Sequence, residues 1–254
     1  MKSSHSLRRL EREGRATGSY GFSRRRMRSF ISRIWGDKFE TIGAANIPGA
    51  GSAVLAINQT THLDPLFLAL AIPRPIHFVG LIGDGGLQPW YTPLLYEAMG
   101  VIRVTGNLAL NGGHQFIAEL DDAVRYGELI GIFPEGRLEL KRERSLIAPF
   151  HNGAAAIARR FRLPVVPIFM QGMEEVMPHS TAHLREKIHI VPITIRIGRP
   201  IPSAQLCHDE ECIRQAILEL KNGLQVKGAV KDFHDSKVRL ALRCGAEDRA
   251  HARQ

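Results

Sequence analysis

Between residues 52 and 198, short β-branched runs alternate with stretches of helical period, and that alternation leaves a chain few ways to fold. Strand-like runs occupy 52–57, 76–80, 100–104, 129–133, 164–170 and 187–198, bounded by Gly or Pro. Helical spacing appears over 63–71, 88–98, 111–126, 150–162 and 209–226. Strands interleaved with helices predict an α/β sheet covered by helices. The last run, 187–198, alternates polar and apolar residues and reads as a strand at the edge of the sheet. No internal repeat is present.

Charge divides the chain unevenly. Eleven Lys and Arg against three acids give residues 1–38 a net +8, out of +9 for all 254 residues. The body is close to neutral, and the basic arm calls for an anionic partner. Within the arm, Met27, Phe30, Ile31, Ile34 and Trp35 recur at helical spacing with arginines between them. Such a short amphipathic helix either lies in a membrane interface or docks on the body. Three segments follow: a basic arm over 1–38, an α/β domain over 39–228 and a polar tail over 229–254. No run reaches 18 apolar residues, so no spanning helix is expected. The arm has no apolar signal core, although its Arg- and Ser-rich composition is shared with organelle transit peptides. Three late cysteines, Cys207, Cys212 and Cys244, imply no disulfide framework and favour a reducing compartment.

Polar residues crowd the ends of two strand runs. Asn58-Gln59-Thr60-Thr61-His62-Leu63-Asp64-Pro65 follows the first. Read alone it is a helix start, with Thr60 or Thr61 capping, Asp64 favouring the dipole and Pro65 in the first turn. Phe133-Pro134-Glu135-Gly136-Arg137 follows another, and its carboxylate and guanidinium on a Gly turn suit a polar ligand. Leu163-Pro164-Val165-Val166-Pro167 reads as a buried strand with a fixed entry.

Taken in order, these segments resemble the lysophospholipid and glycerol-phosphate acyltransferase family over roughly 46–202. Asn46-Ile47-Pro48-Gly49 is similar to the lead-in of that family, and 58–65 to its first motif. Gly100-Val101-Ile102-Arg103-Val104 is similar to the second motif, Phe133 to Arg137 to the third, and Pro164 to Pro167 to the fourth. Phe150-His151-Asn152-Gly153 matches the stretch between the last two. The resemblance implies a mixed, mostly parallel sheet flanked by helices. It implies transfer of an acyl chain from acyl-CoA or an acyl-carrier protein to a hydroxyl of a lysophospholipid or glycerol phosphate. That chemistry runs at a membrane surface with no bound cofactor or metal. It further implies that Asp64 belongs to a base-and-orienter pair, and that Glu135, Gly136, Arg137, Arg103 and Pro167 line the substrate site.

Two positions depart from the pattern. Where the family carries its catalytic His, five residues before Asp64, this chain has Gln59. A carboxamide cannot act as a general base, although it can position a hydroxyl. His62 is a substitute base on paper, but residues two apart in a helical turn face different ways. Where the second motif ends in Arg, the chain has Gly106. The chain is therefore an acyltransferase with an altered site, or a lipid-binding or regulatory protein on the same scaffold. A nucleic-acid partner is not expected, because nothing in the body resembles a nucleic-acid fold. His179 and His183, the Cys207–Cys212 segment and Gly83 to Gly86 do not match metal or phosphate motifs. Asp209 to Glu211 are expected to serve the dipole of the helix they open.

Overall fold

In a computed structural model, the strand runs assemble into one seven-stranded sheet. The structure describes residues 29, 33–61, 63–82, 102–105, 113–136, 150–176, 189–206 and 210–223. The strands are β1 (Phe39–Ile42), β2 (Val54–Ile57), β3 (Ile76–Ile82), β4 (Ile102–Thr105), β5 (Leu129–Ile132), β6 (Val165–Gln171) and β7 (Ile193–Ile197). Their spatial order is β1-β7-β6-β2-β5-β3-β4. All neighbouring pairs are parallel except β6 with β7. Among the described residues, helices that follow β2 are α1 (Asp64–Ala71), α2 (Gly113–Arg125), α3 (Gly153–Phe161), α4 (Met173–Val176) and α5 (Glu211–Lys221).

The central strand β2 explains the layering. Its four residues, Val-Leu-Ala-Ile, are all buried, as a strand covered on both faces requires. Leu55 and Ile57 face a cluster with Phe67, Leu68 and Ile72, from α1 and the residue that caps it. Val54 and Ala56 face the opposite cluster, with Leu120 of α2, Ala154 and Ala158 of α3 and Ile213 of α5. The two-residue period of one strand thus separates two cores. Gly131 in β5 is required by packing: a Cβ there would stand 2.6 Å from the Phe78 ring. That ring stacks on Phe133 at 6.0 Å, at the end of β5.

Two readings change, and one open alternative is decided. Within the described part of the 187–198 run, Ile193–Ile197 is strand, and it is not an edge, because β1 pairs along it. The alternation reflects two differently buried faces, while β1 and β4 form the edges. β1 itself was not anticipated; its four residues follow the basic arm, and Glu40 interrupts an apolar reading. Trp35 is 5% exposed and meets Phe67 edge-on at 5.1 Å, so it docks on the body and is not available to a membrane interface. The arm before residue 29, the 88–98 helix and the 229–254 tail lie outside the described residues.

Candidate active site

β2 and β5 are parallel neighbours, with Ala56 opposite Ile132. The turns that follow them therefore leave the same rim of the sheet side by side. The C-terminal rim of parallel strands is where α/β sheets bind ligands.

Asn58 starts the first turn. It is 4% exposed, and its carboxamide pairs with the backbone of Met170 in β6, donating at 3.0 Å and accepting at 2.7 Å. The side chain thus continues the sheet where the β2 backbone leaves it. Asp64 closes the turn. Its carboxylate is fully buried and accepts the amides of Thr60 (2.6 Å) and Thr61 (2.9 Å) and the hydroxyl of Thr61 (2.7 Å). The Thr60 hydroxyl lies 3.1 Å from both carboxylate oxygens. Burial raises the Asp64 carboxyl to about 6, while the bonds from Thr60 and Thr61 pull it down. Thr60 and Thr61 are therefore not caps of α1. Leu63 occupies the cap position without a side-chain bond, and the Thr61 hydroxyl accepts the Leu63 amide within the turn. Pro65 falls in the first turn of α1, as expected.

Glu135 joins the two turns. Its Oε1 accepts the backbone amide of Gln59 at 2.9 Å. Gly136 follows with φ at +73°, a conformation that favours glycine. A Cβ at Gly136 would also collide with His151, 2.6 Å from Cδ2 and 3.1 Å from Nε2. The amide of His151 donates to Pro134 at 2.8 Å, fixing the entry to α3 against the turn. Beneath that entry, Glu210 accepts the Ala155 amide at 2.8 Å in the first turn of α3. Glu210 precedes α5 but makes no side-chain cap bond there, so its carboxylate serves a different helix from the one expected.

The structure thus brings Gln59, Asp64, Glu135 and Gly136 to one rim. Among the described residues, the groups bonded to Asp64 are those of Thr60 and Thr61, and residue 59 is not one of them. Arg103 lies on β4 opposite Gly80, three strands from β2, or about 14 Å across the sheet. Pro167 lies within β6 opposite Ala56, below the rim, where Gly198 donates to its carbonyl at 2.8 Å. His62 and Arg137 lie outside the described residues. Asn58, Thr60, Thr61 and Glu210 were not singled out as functional. Their signal was a polar side chain at a strand or helix end, which is common to ordinary turns. Among the described residues, no three His, Cys, Asp or Glu side chains gather as for a metal.

The acyltransferase family model matches residues 38–171, more than half of the 254-residue chain. The chain belongs to the acyltransferase family. The matched span runs from the residue before β1 to the end of β6 and includes both rim turns. Among curated relatives of this acyltransferase, a chloroplastic 1-acyl-sn-glycerol-3-phosphate acyltransferase of Brassica napus is 25% identical over 78% of this chain and 57% of its own length. The chain therefore spans little more than half of that relative. A 1-acyl-sn-glycerol-3-phosphate acyltransferase of Bacillus subtilis is 28% identical over 70% of this chain and 86% of its own. The crystal structure of the 1-acyl-sn-glycerophosphate acyltransferase PlsC from Thermotoga maritima superposes with a TM-score of 0.53 at 16% identity. The match covers 81% of this chain and 79% of that one, and it shows a common fold.

Proposed function

We propose that this acyltransferase moves an acyl chain from an acyl thioester to a hydroxyl of a lysophospholipid or glycerol-phosphate-like acceptor. The donor is acyl-CoA or an acyl-carrier protein. The observation that carries the reading is the bond from the Gln59 amide to Glu135, which draws the turns after β2 and β5 into one rim. Two relatives are named as 1-acyl-sn-glycerol-3-phosphate acyltransferases, which favours a phosphate-bearing acceptor. Glu135 holds residue 59 in register with its own turn, and Gln59 offers a carboxamide to orient the acceptor hydroxyl. The basic arm would bring the chain to the cytoplasmic face of a membrane as a peripheral protein. Among the described residues, no helix is long and apolar enough to cross a membrane.

The test is acyl transfer from radiolabelled acyl-CoA and acyl-carrier protein to a panel of lysolipids and glycerol phosphate. The acceptors are presented in anionic and in neutral vesicles. Labelled product above a no-protein control is expected, formed faster on the anionic surface. Absence of product with every donor and acceptor would count against the reading. Gln59 specifically favours a second reading, a lipid-binding protein that has lost turnover. Saturable lysolipid binding without product would identify it.

A further inference from the structure

The acyl-transfer reading needs a proton acceptor, and residue 59 cannot be one. We propose that His151 supplies it. This inference rests on that reading and adds a group to its site. Of the described histidines, the His77 ring is held by Glu128 at 2.6 Å, His114 lies in the first turn of α2, and His189 follows α4, with its amide bonded to Val176. His151 instead packs on the turn that carries Glu135. Its imidazole fills the space beside Gly136, with Cδ2 and Nε2 where a side chain at 136 would lie.

The backbone of His151 is held on both sides. Its amide donates to Pro134 and its carbonyl accepts from Gly153, each at 2.8 Å. The Cδ2–Nε2 edge of the ring lies on Gly136, and the residue as a whole is solvent-exposed. Two bonds connect it to the missing base position. His151 is fastened to Pro134, and the next residue, Glu135, is fastened to the Gln59 amide. A glycine at 136 admits the ring to this place.

The chemistry balances without a co-reactant. The acceptor hydroxyl passes its proton to an imidazole nitrogen of His151 as its oxygen bonds to the thioester carbonyl carbon. The C–S bond then breaks, and the departing thiolate takes the proton back from the imidazolium. The products are the ester and the free thiol, and the imidazole is regenerated.

The experiment measures kcat, KM and the pH profile of the full chain, with acyl-CoA as donor and 1-acyl-glycerol-3-phosphate in anionic vesicles as acceptor. H151Q and H151A should lower kcat by about 10²–10⁴-fold with KM nearly unchanged. The acid limb of the native profile should vanish, and added imidazole should restore part of the H151A rate. H151Q should unfold at the native temperature, which separates a proton role from packing against Gly136. If H151Q retains kcat within about twofold and keeps the acid limb, the assignment is overturned. A native chain with no turnover overturns it as well, and Q59H then decides the wider reading. Activity gained by Q59H keeps acyl transfer and leaves His151 idle, whereas none gained removes both.

Discussion

The Asp64 carboxylate is fully buried and accepts two backbone amides and a hydroxyl within its own turn. In a base-and-orienter pair, the residue five before it would compete for those lone pairs. Here Gln59 leaves the carboxylate to hold the turn. Asp64→Ala would strand the Thr60 and Thr61 amides away from any acceptor, at a cost of about 2–5 kcal/mol. Asp64→Asn keeps one acceptor oxygen and sheds a buried charge, so it should cost less than half as much. Denaturant midpoints of the three chains check the order native, Asn, Ala, and equal midpoints for Ala and native would refute it. The motif made Asp64 legible as a candidate site residue. Its bonding was not legible, because the threonines that satisfy it read equally well as helix caps.

At the scale of elements, α3 and α5 meet through one carboxylate. Glu210 is 2% exposed and precedes α5, but it neutralises the first turn of α3 at Ala155. Burial raises its carboxyl to about 7, against the amides of Ala155 and Ala154 and the charge of Arg159. Folding therefore favours the protonated form. The stability this group contributes is present in full below about 4.5, its ordinary value, and is lost as pH rises through about 7. Asp64 acts in the same direction, between 3.8 and about 6. Glu210→Gln retains an acceptor for Ala155 without the charge. It should stabilise the chain at pH 8 by on the order of 1–3 kcal/mol and change little at pH 4. Thermal unfolding at the two pH values measures the difference, and an equal shift at both would contradict this origin. The local sequence shows that residues 209–211 precede a helix, but not which helix the charge serves. That partner is 55 residues away and is set by packing. β1 was hidden for a related reason, since its four residues become a strand only by pairing with β7.

Across the whole molecule, the site is a product of strand order. Among the described residues, two strands and two helices separate β2 from β5 along the chain, yet they are neighbours in the sheet, so their turns share a rim. The recurrence of strand-end polar clusters made both turns legible as candidates, because a motif at a strand end is local. Their adjacency depends on the order β6-β2-β5-β3, which no local pattern encodes. Arg103 illustrates the limit: its segment matched a motif, but the sheet carries it three strands from β2. Pro167 matched as well and lies inside β6, where the motif marks strand structure below the rim. The functional reading therefore depends on the cross-turn bond between Gln59 and Glu135. Amide hydrogen exchange at Gln59, measured by NMR in the native chain and in Glu135→Ala, tests it most directly. The account predicts protection in the native chain and exchange at least about tenfold faster in the variant, equivalent to about 1.4 kcal/mol of lost local stability. A Gln59 amide that exchanges equally fast in both chains would show that Glu135 does not hold the two turns together.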